Sequence, residues 1–342
     1  MKKILSVLLA LLLLALPLTV CAYAIPLSDG TAKLNKAFVN GKYGSYDYVA
    51  FSPVKGENDA TKYPLTVWLH GRNSGGYPRS QLERYEFSNW ASDEYQARFE
   101  NAGGCFLLCP RAAVGSKNEW DNSNRAALKE IIDTFIADNA DHIDVSRIYI
   151  AGYSTGGSMV WNMLTAYPGF FAAGLPLAAI SQPNAGGLAK LKDTSVWIFT
   201  SDIDPYVINE TDDVRPNFDY LCGVSNRPDG LRMTSFTEAF FADGTKKMDG
   251  NKPADDAEHY IWESVTYDMF MQDGVTPYKC ASTIDAKGER VTFTPGEALI
   301  SWLSRQTNEK SASSAAGLLK RLSLFFQRLM KLIREMYSFL LG

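Results

Sequence analysis

The sequence predicts an α/β fold, with a mostly parallel central sheet and helices on both of its faces. Three observations predict it. Short runs rich in β-branched and aromatic residues alternate with stretches of 3.6-residue periodicity, the rhythm of strand–helix–strand units. Several of those runs are apolar throughout, as strands buried on both faces must be. A Gly-Tyr-Ser-Thr-Gly pentapeptide at 152–156 stands between one such run and a helical stretch, so a strand turns sharply into a helix there.

The elements follow in order. Residues 45–51 alternate as an early strand, and Leu65-Thr66-Val67-Trp68-Leu69 is an apolar β-rich run that ends in His70-Gly71. A helical stretch is predicted over 81–100. Cys105 to Cys109 reads as the next buried strand, stopped by Pro110. Leu128, Ile131, Ile132, Phe135 and Ile136 share one face of a helix over 124–139. Residues 147–151 form a short buried strand, and 155–167 the helix after it. A further strand covers 196–200, and the Phe-rich stretch 235–241 is predicted as the last. Helical patterns at 260–271 and 297–305 close the domain, and there is no internal repeat.

The chain has 342 residues, 46% hydrophobic and 21% charged, with a formal net charge of −4. That is globular composition, and no basic patch interleaved with aromatics appears in the globular part, so nucleic acid is not an expected partner. The first 24 residues read as an export signal. Lys2 and Lys3 precede an apolar run over 4–16, and Ala22-Tyr23-Ala24 offers a cleavage site. The run is short for a membrane span, which needs about 20 apolar residues. A lipoprotein reading at Cys21 meets a bulky Val20 where a small residue is expected. Residues 25–307 are predicted as one catalytic-size α/β domain, 308–317 as a small, polar linker, and 318–342 as a basic amphipathic helix. In that helix Leu318, Leu322, Phe325, Leu329, Leu332, Met336 and Phe339 make a wide apolar face. Lys320, Arg321, Arg328, Lys331 and Arg334 stand against the single acid Glu335. Such a segment, 318–341, suits contact with a membrane surface, self-association, or docking on its own domain. The protein is expected to be secreted.

Export permits disulfides. Cys105 and Cys109 lie four residues apart on a strand, roughly 13 Å at 3.3 Å per residue, too far to bridge. They are expected to be small buried hydrophobes. Cys222 and Cys280 fall in an irregular half of the chain and are either bridged or free. No CxxC or HxxxH spacing occurs, so no metal is expected.

The chemistry concentrates at Ser154. A lone G-x-S-x-G is a weak signal, but one that follows a buried strand and opens a helix has the setting of a nucleophile elbow. Its glycines permit the tight turn, and the helix N-terminus points Thr155 N–H to where an oxyanion would form. A Gly-rich turn without catalysis is the bland alternative. A serine nucleophile needs a base, and only three histidines exist. His70 precedes the elbow and is expected to shape a loop. His142, in Ala140-Asp141-His142-Ile143-Asp144, is expected to be exposed and structural. His259 lies after the last strand and is the base by elimination and position. The acid should follow the 196–200 strand, where Ser201-Asp202-Ile203-Asp204-Pro205 offers Asp202 and Asp204. Trp120, Tyr153 and Trp161 suit either an aromatic wall or the core.

These blocks resemble a known family. LHGRNSGG, RIYIAGYSTGGSMVWNMLTAYPGFFAAGLPLAA, IFTSDIDPYV and HYIWESVTYDMF are similar to blocks of the α/β-hydrolase esterases related to polyhydroxybutyrate depolymerases and feruloyl esterases. Those enzymes stand close to prolyl-oligopeptidase-like catalytic domains. The likeness covers about residues 46–305. It implies the α/β-hydrolase fold, a Ser-Asp-His order with Ser154 as nucleophile and His259 as base, and the Asp before Pro, Asp204, as acid. It also implies Arg72 as the second oxyanion donor through its backbone N–H. The implied activity is cofactor-free hydrolysis of a carboxylic ester through an acyl-enzyme, on feruloyl or acetyl esters of plant polysaccharide. A serine peptidase with the same triad, and a silent binding protein on this scaffold, are the rivals. The span 206–258 is longer than the family shows and is expected to form a lid or substrate wall.

Overall fold

The structure is a computed structural model. It describes residues 39–43, 46–72, 88–112, 120–201, 204, 206–207, 214–238, 259–268, 271–272, 276–277, 281–293 and 299–308. The strands are β1 (Val39–Tyr43), β2 (Tyr46–Phe51), β3 (Tyr63–Leu69), β4 (Phe106–Pro110), β5 (Ile143–Tyr153), β6 (Ala173–Leu177), β7 (Ser195–Ser201), β8 (Leu231–Phe236), β9 (Met271–Gln272), β10 (Thr276–Pro277) and β11 (Ala281–Asp285). The helices are α1 (Asp93–Ala97), α2 (Arg125–Asp138), α3 (Thr155–Ala166), α4 (Ala185–Leu188), α5 (Val214–Val224), α6 (Trp262–Thr266) and α7 (Leu299–Ser304).

One sheet runs in the order β1-β2-β4-β3-β5-β6-β7-β8-β11, and β9 pairs with β10 apart from it. From β4 to β8 every neighbouring pair is parallel. The pairs β1–β2, β2–β4 and β8–β11 are antiparallel. Every residue of β3, β4, β6 and β7 is buried, so these strands are covered on both faces. Helix α2 buries the predicted stripe of Leu128, Ile131, Ile132 and Ile136. Phe135 is half-buried and meets Tyr48 and Phe106 edge-on, at ring separations of 6.1 and 6.0 Å.

Several predicted elements shift. Strand β6 was not expected, because its sequence Ala-Gly-Leu-Pro-Leu carries a proline that removes a ladder donor. The fold accommodates Pro176 by leaving it and Leu175 out of the register with β7, while Pro176 still stands opposite Gly152 of β5. The last parallel strand begins at Leu231, not near Ser235, since Arg232 and Ser235 mask its alternation. Strand β11, with alternating burial at the sheet edge, was also hidden. The span 206–258 is not simply a lid. Within it α5 buries Val214, Phe218 and Leu221, and β8 pairs with β7 from Leu231 to Phe236, so these residues are scaffold. Residues 208–213 and 239–258 of that span lie outside the described residues. Of the predicted 81–100 helix, the described part is a 3₁₀ turn, Ser88–Ala91, and α1, capped by the Ser92 side chain.

Cys105 and Cys109 are buried thiols, and burial pushes the Cys105 thiol up to about 12. Cys222 sits half-buried in α5 rather than in irregular chain, as a free thiol; Cys280 lies outside the described residues. So do the predicted export signal and the basic C-terminal helix. Asn308 is still tied to the body, its N–H donating to Ser146 O at 2.8 Å. No described helix is long and apolar enough to cross a membrane.

Candidate active site

Strand β5 delivers Ser154 to the top of the sheet, and α3 begins at the next residue. Between them the chain must reverse within one residue, and Ser154 does so at φ 58°, ψ −119°. A non-glycine residue at positive φ is strained by about 1–3 kcal/mol, and such strain persists only where the surroundings impose it. Here they do. Ser154 N–H donates to Leu177 O at the end of β6 (2.9 Å), and Ser154 O accepts from Ser158 N–H (3.0 Å). Behind the turn, helix and strand nearly touch: a Cβ on Gly156 would lie 2.1 Å from Leu69 O. Only glycine fits there.

His259 arrives from the segment before α6. Its Nε2 lies 2.8 Å from Ser154 Oγ and its Nδ1 lies 2.7 Å from Asp204 Oδ2. Asp204 follows β7 and its side chain is wholly buried. A buried carboxylate is tolerable only with donors around it, and Asp204 has them. Besides His259, its Oδ1 accepts from Tyr206 N–H (2.8 Å) and Val207 N–H (3.3 Å). Three sequence-predicted residues are thus in one hydrogen-bonded line; Asp202, the other candidate acid, lies outside the described residues. With Nδ1–H bonded to the carboxylate, Nε2 is the nitrogen left to accept the Ser154 proton.

The segment that carries His259 is pinned at its far end. Thr266 O accepts from Asn89 Nδ2 (2.7 Å) and Trp90 Nε1 (2.9 Å). Asp268 is buried and pairs with Arg98 at 2.5 Å, and its other oxygen accepts from Leu299 N–H at 2.9 Å.

The end of β3 lies beside the Ser154 turn. A Cβ at Gly71 would stand 2.8 Å from the Tyr153 ring and 3.5 Å from Ser154 Cβ, which places Arg72, the next residue, at the site's edge. Thr155, the first residue of α3, has an N–H with no carbonyl partner within its own helix. His70 holds this loop. Its Nε2 accepts from Ala112 N–H (2.9 Å), so Nδ1–H donates to Gly71 O (2.7 Å). A proton on Nε2 would face that N–H, and full burial lowers the imidazole pKa to about 4. The folded pKa lies below the unfolded value near 6.5, so the stability at stake is present above pH 6.5 and is lost as pH falls towards 4. Between pH 7 and pH 5 this one group should cost about 2 kcal/mol. Urea unfolding of wild type and His70→Gln at both pH values measures it; parallel losses in the two proteins would exclude His70 as the cause.

Other residues settle differently. His142 is half-buried in a turn away from the site, its O accepting from Tyr63 N–H at 2.7 Å, not exposed as expected. Trp120 and Trp161 are core residues, and Trp120 packs on His70 at 5.3 Å. Tyr153 does reach the site, with its ring 5.1 Å from His259. Two residues not singled out from the sequence join it. Tyr206 and Tyr260 have rings 5.0 and 6.2 Å from His259, and they are 48% and 42% exposed. Their adjacency to Asp204 and His259 in the chain was the available signal. Among the described residues no cluster of three or more His, Cys, Asp or Glu is placed to hold a metal.

No protein-family model matches the chain, and no curated protein does. Among solved structures, a thermostable esterase is 25% identical, with a TM-score of 0.52, over 69% of this chain and 61% of its own. The chain therefore spans less than two thirds of that enzyme's length. An S-formylglutathione hydrolase from Agrobacterium tumefaciens is 13% identical at a TM-score of 0.43, over 68% of this chain and 91% of its own. Acetyl xylan esterase from Aspergillus awamori is 16% identical at 0.36, over 55% and 79%. The first of the three is close enough to carry structural weight. Taken with the strand order and the strand–serine–helix turn, it identifies the chain as having the α/β-hydrolase fold, related in structure to esterases.

Proposed function

We propose that the chain is an exported serine carboxylic-ester hydrolase that works through an acyl-enzyme. The observation that carries this reading is the unbroken line Ser154 Oγ–His259–Asp204, at 2.8 and 2.7 Å, on a strained turn. In the proposed cycle His259 Nε2 takes the Ser154 proton as Oγ attacks the ester carbonyl carbon. The charge that develops on the carbonyl oxygen meets the N–H groups of Thr155 and Arg72. The imidazolium then protonates the departing alcohol, leaving the acyl group on Ser154. Water repeats the sequence in reverse and releases the acid. Export rests on the N-terminal sequence pattern.

Asp204 holds the imidazole tautomer in this scheme, so Asp204→Asn is expected to lower kcat by about 10⁴ with little change in KM. Asp202→Asn serves as the internal rival. Steady-state kinetics on p-nitrophenyl acetate decide, and a larger loss at Asp202 would move the acid by two residues.

For the substrate, we propose feruloyl or acetyl esters of plant polysaccharide. Support comes from Tyr206 and Tyr260, half-exposed rings at the mouth beside His259, which offer a face to a planar acyl group. Tyr206→Ala keeps the backbone N–H that Asp204 accepts. It is expected to lower kcat/KM for methyl ferulate by about tenfold, the value of one aromatic contact, and to lower that for p-nitrophenyl acetate less. Equal losses would mean that the ring positions Asp204 rather than the acyl group. Cleavage of a proline-containing peptide in preference to either ester would establish the peptidase reading instead.

A further inference from the structure

A groove of about 510 Å³ lies along α3, beginning one helical turn past Ser154. Its size falls within the roughly 300–1,000 Å³ of small-ligand sites. One wall is a single face of α3, where Ser158, Trp161, Asn162 and Thr165 recur at three- and four-residue steps. The other is the loop from β6 into α4, with Gln182 and Asn184, and Lys190 beyond it. Ser158 joins the two walls and the nucleophile turn: its Oγ accepts from Ser181 N–H (3.0 Å) and reaches Ser154 O (3.4 Å).

The lining is amide, hydroxyl and indole, with one ammonium and no carboxylate among the described residues. Two of its buried polar atoms have no hydrogen-bond partner among the described residues, the donor Trp161 Nε1–H and the acceptor Gln182 Oε1. Trp161 is 2% exposed. The Gln182 amide is oriented by its own Nε2–H, which donates to Ala179 O at 3.1 Å. Buried donors and acceptors left unmet cost stability, and a ligand in this groove that both donates and accepts would meet this donor and this acceptor. A hydroxyl donates once and accepts twice. A neutral ligand dense in hydroxyls therefore matches this lining better than an anion, for which Lys190 is the single charge.

We propose that this groove is a saccharide-binding site, which holds a neutral, hydroxyl-rich chain beside Ser154. The proposal rests on the ester-hydrolase reading for the groove's role in turnover, but not for the binding itself. Binding of unesterified xylotetraose to the full-length protein is measured by calorimetry and by ligand-observed NMR, and no hydrolysis is needed. Wild type is expected to bind, and Gln182→Leu to weaken binding at least tenfold. Trp161→Phe removes the unmet donor but also replaces the buried indole with a smaller phenyl ring. It should lower the melting temperature, as large-to-small changes in the core do, and, measured well below that temperature, weaken xylotetraose by a similar factor, whereas a purely structural tryptophan would give the first effect without the second. Asn162→Ala, half-buried on the same face, is the further variant if either of those fails to fold. No binding by wild type, binding untouched by the variants, or tighter binding of inorganic phosphate at the same residues would each overturn the proposal. The ester-hydrolase reading is judged separately, by wild-type turnover of p-nitrophenyl acetate.

Discussion

Ser154→Ala is expected to lower kcat for p-nitrophenyl acetate by about 10⁶, leaving a residue of about 10³ over water from the oxyanion donors and binding. The magnitude follows from losing the acyl-enzyme route altogether. The fold should survive, because the bonds that impose the turn belong to the Ser154 backbone, from its N–H to Leu177 O and from Ser158 N–H to its own O. Alanine meets the same strain at φ 58° as serine does. Ser154→Gly sharpens the test, since glycine adopts that φ at no steric cost. It should be as inactive as the alanine variant but more stable by about 1 kcal/mol, the strain such a turn stores. Kinetics and melting temperature on the three proteins read both effects. A variant that kept a tenth of wild-type activity would mean that Ser154 is not the nucleophile.

His259→Ala should be nearly as damaging, at about 10⁶ in kcat, because Ser154 without an acceptor for its proton is an ordinary alcohol. His142→Ala should leave kcat within about twofold, because the half-buried His142 lies in a turn away from the three linked groups. The stronger form of the prediction concerns additivity. Residues that act as one unit lose their joint function when either is removed, so the double variant Ser154→Ala/His259→Ala should be no slower than either single variant. If the two losses multiplied instead, Ser154 and His259 would be acting independently, and the proposed proton transfer between them would be wrong.

How much of this was legible beforehand differs by element. Strands β3, β4, β5 and β7 and helices α2 and α3 announce themselves locally, because apolar residues at period 2 or 3.6, or in short unbroken runs, reflect which faces are buried. Strand β6 did not, since Pro176 contradicts a central strand unless the neighbouring register makes room for it, and that register belongs to β7. Helix α5 and strand β8 were concealed inside a polar span by the same difficulty: Arg232 reads as surface until its guanidinium is found over the Trp197 ring at 4.8 Å.

The site divides in the same way. The sequence by itself determined the strand–serine–helix turn at Ser154, its need for glycine at 156, and the short roster of histidines and acids that follow in chain order. These are properties of neighbouring residues and of counting. Tertiary structure alone decided that Asp204 is buried among two backbone donors, that His259 spans it and Ser154, and that Tyr206 and Tyr260 stand at the mouth. Those groups lie 55 and 105 positions apart along the chain, from Asp204 and Ser154 to His259. No local pattern encodes such a distance. It is set by the closing of β5, β6 and β7 side by side, and by the Asp268–Arg98 pair that anchors the histidine segment against α1.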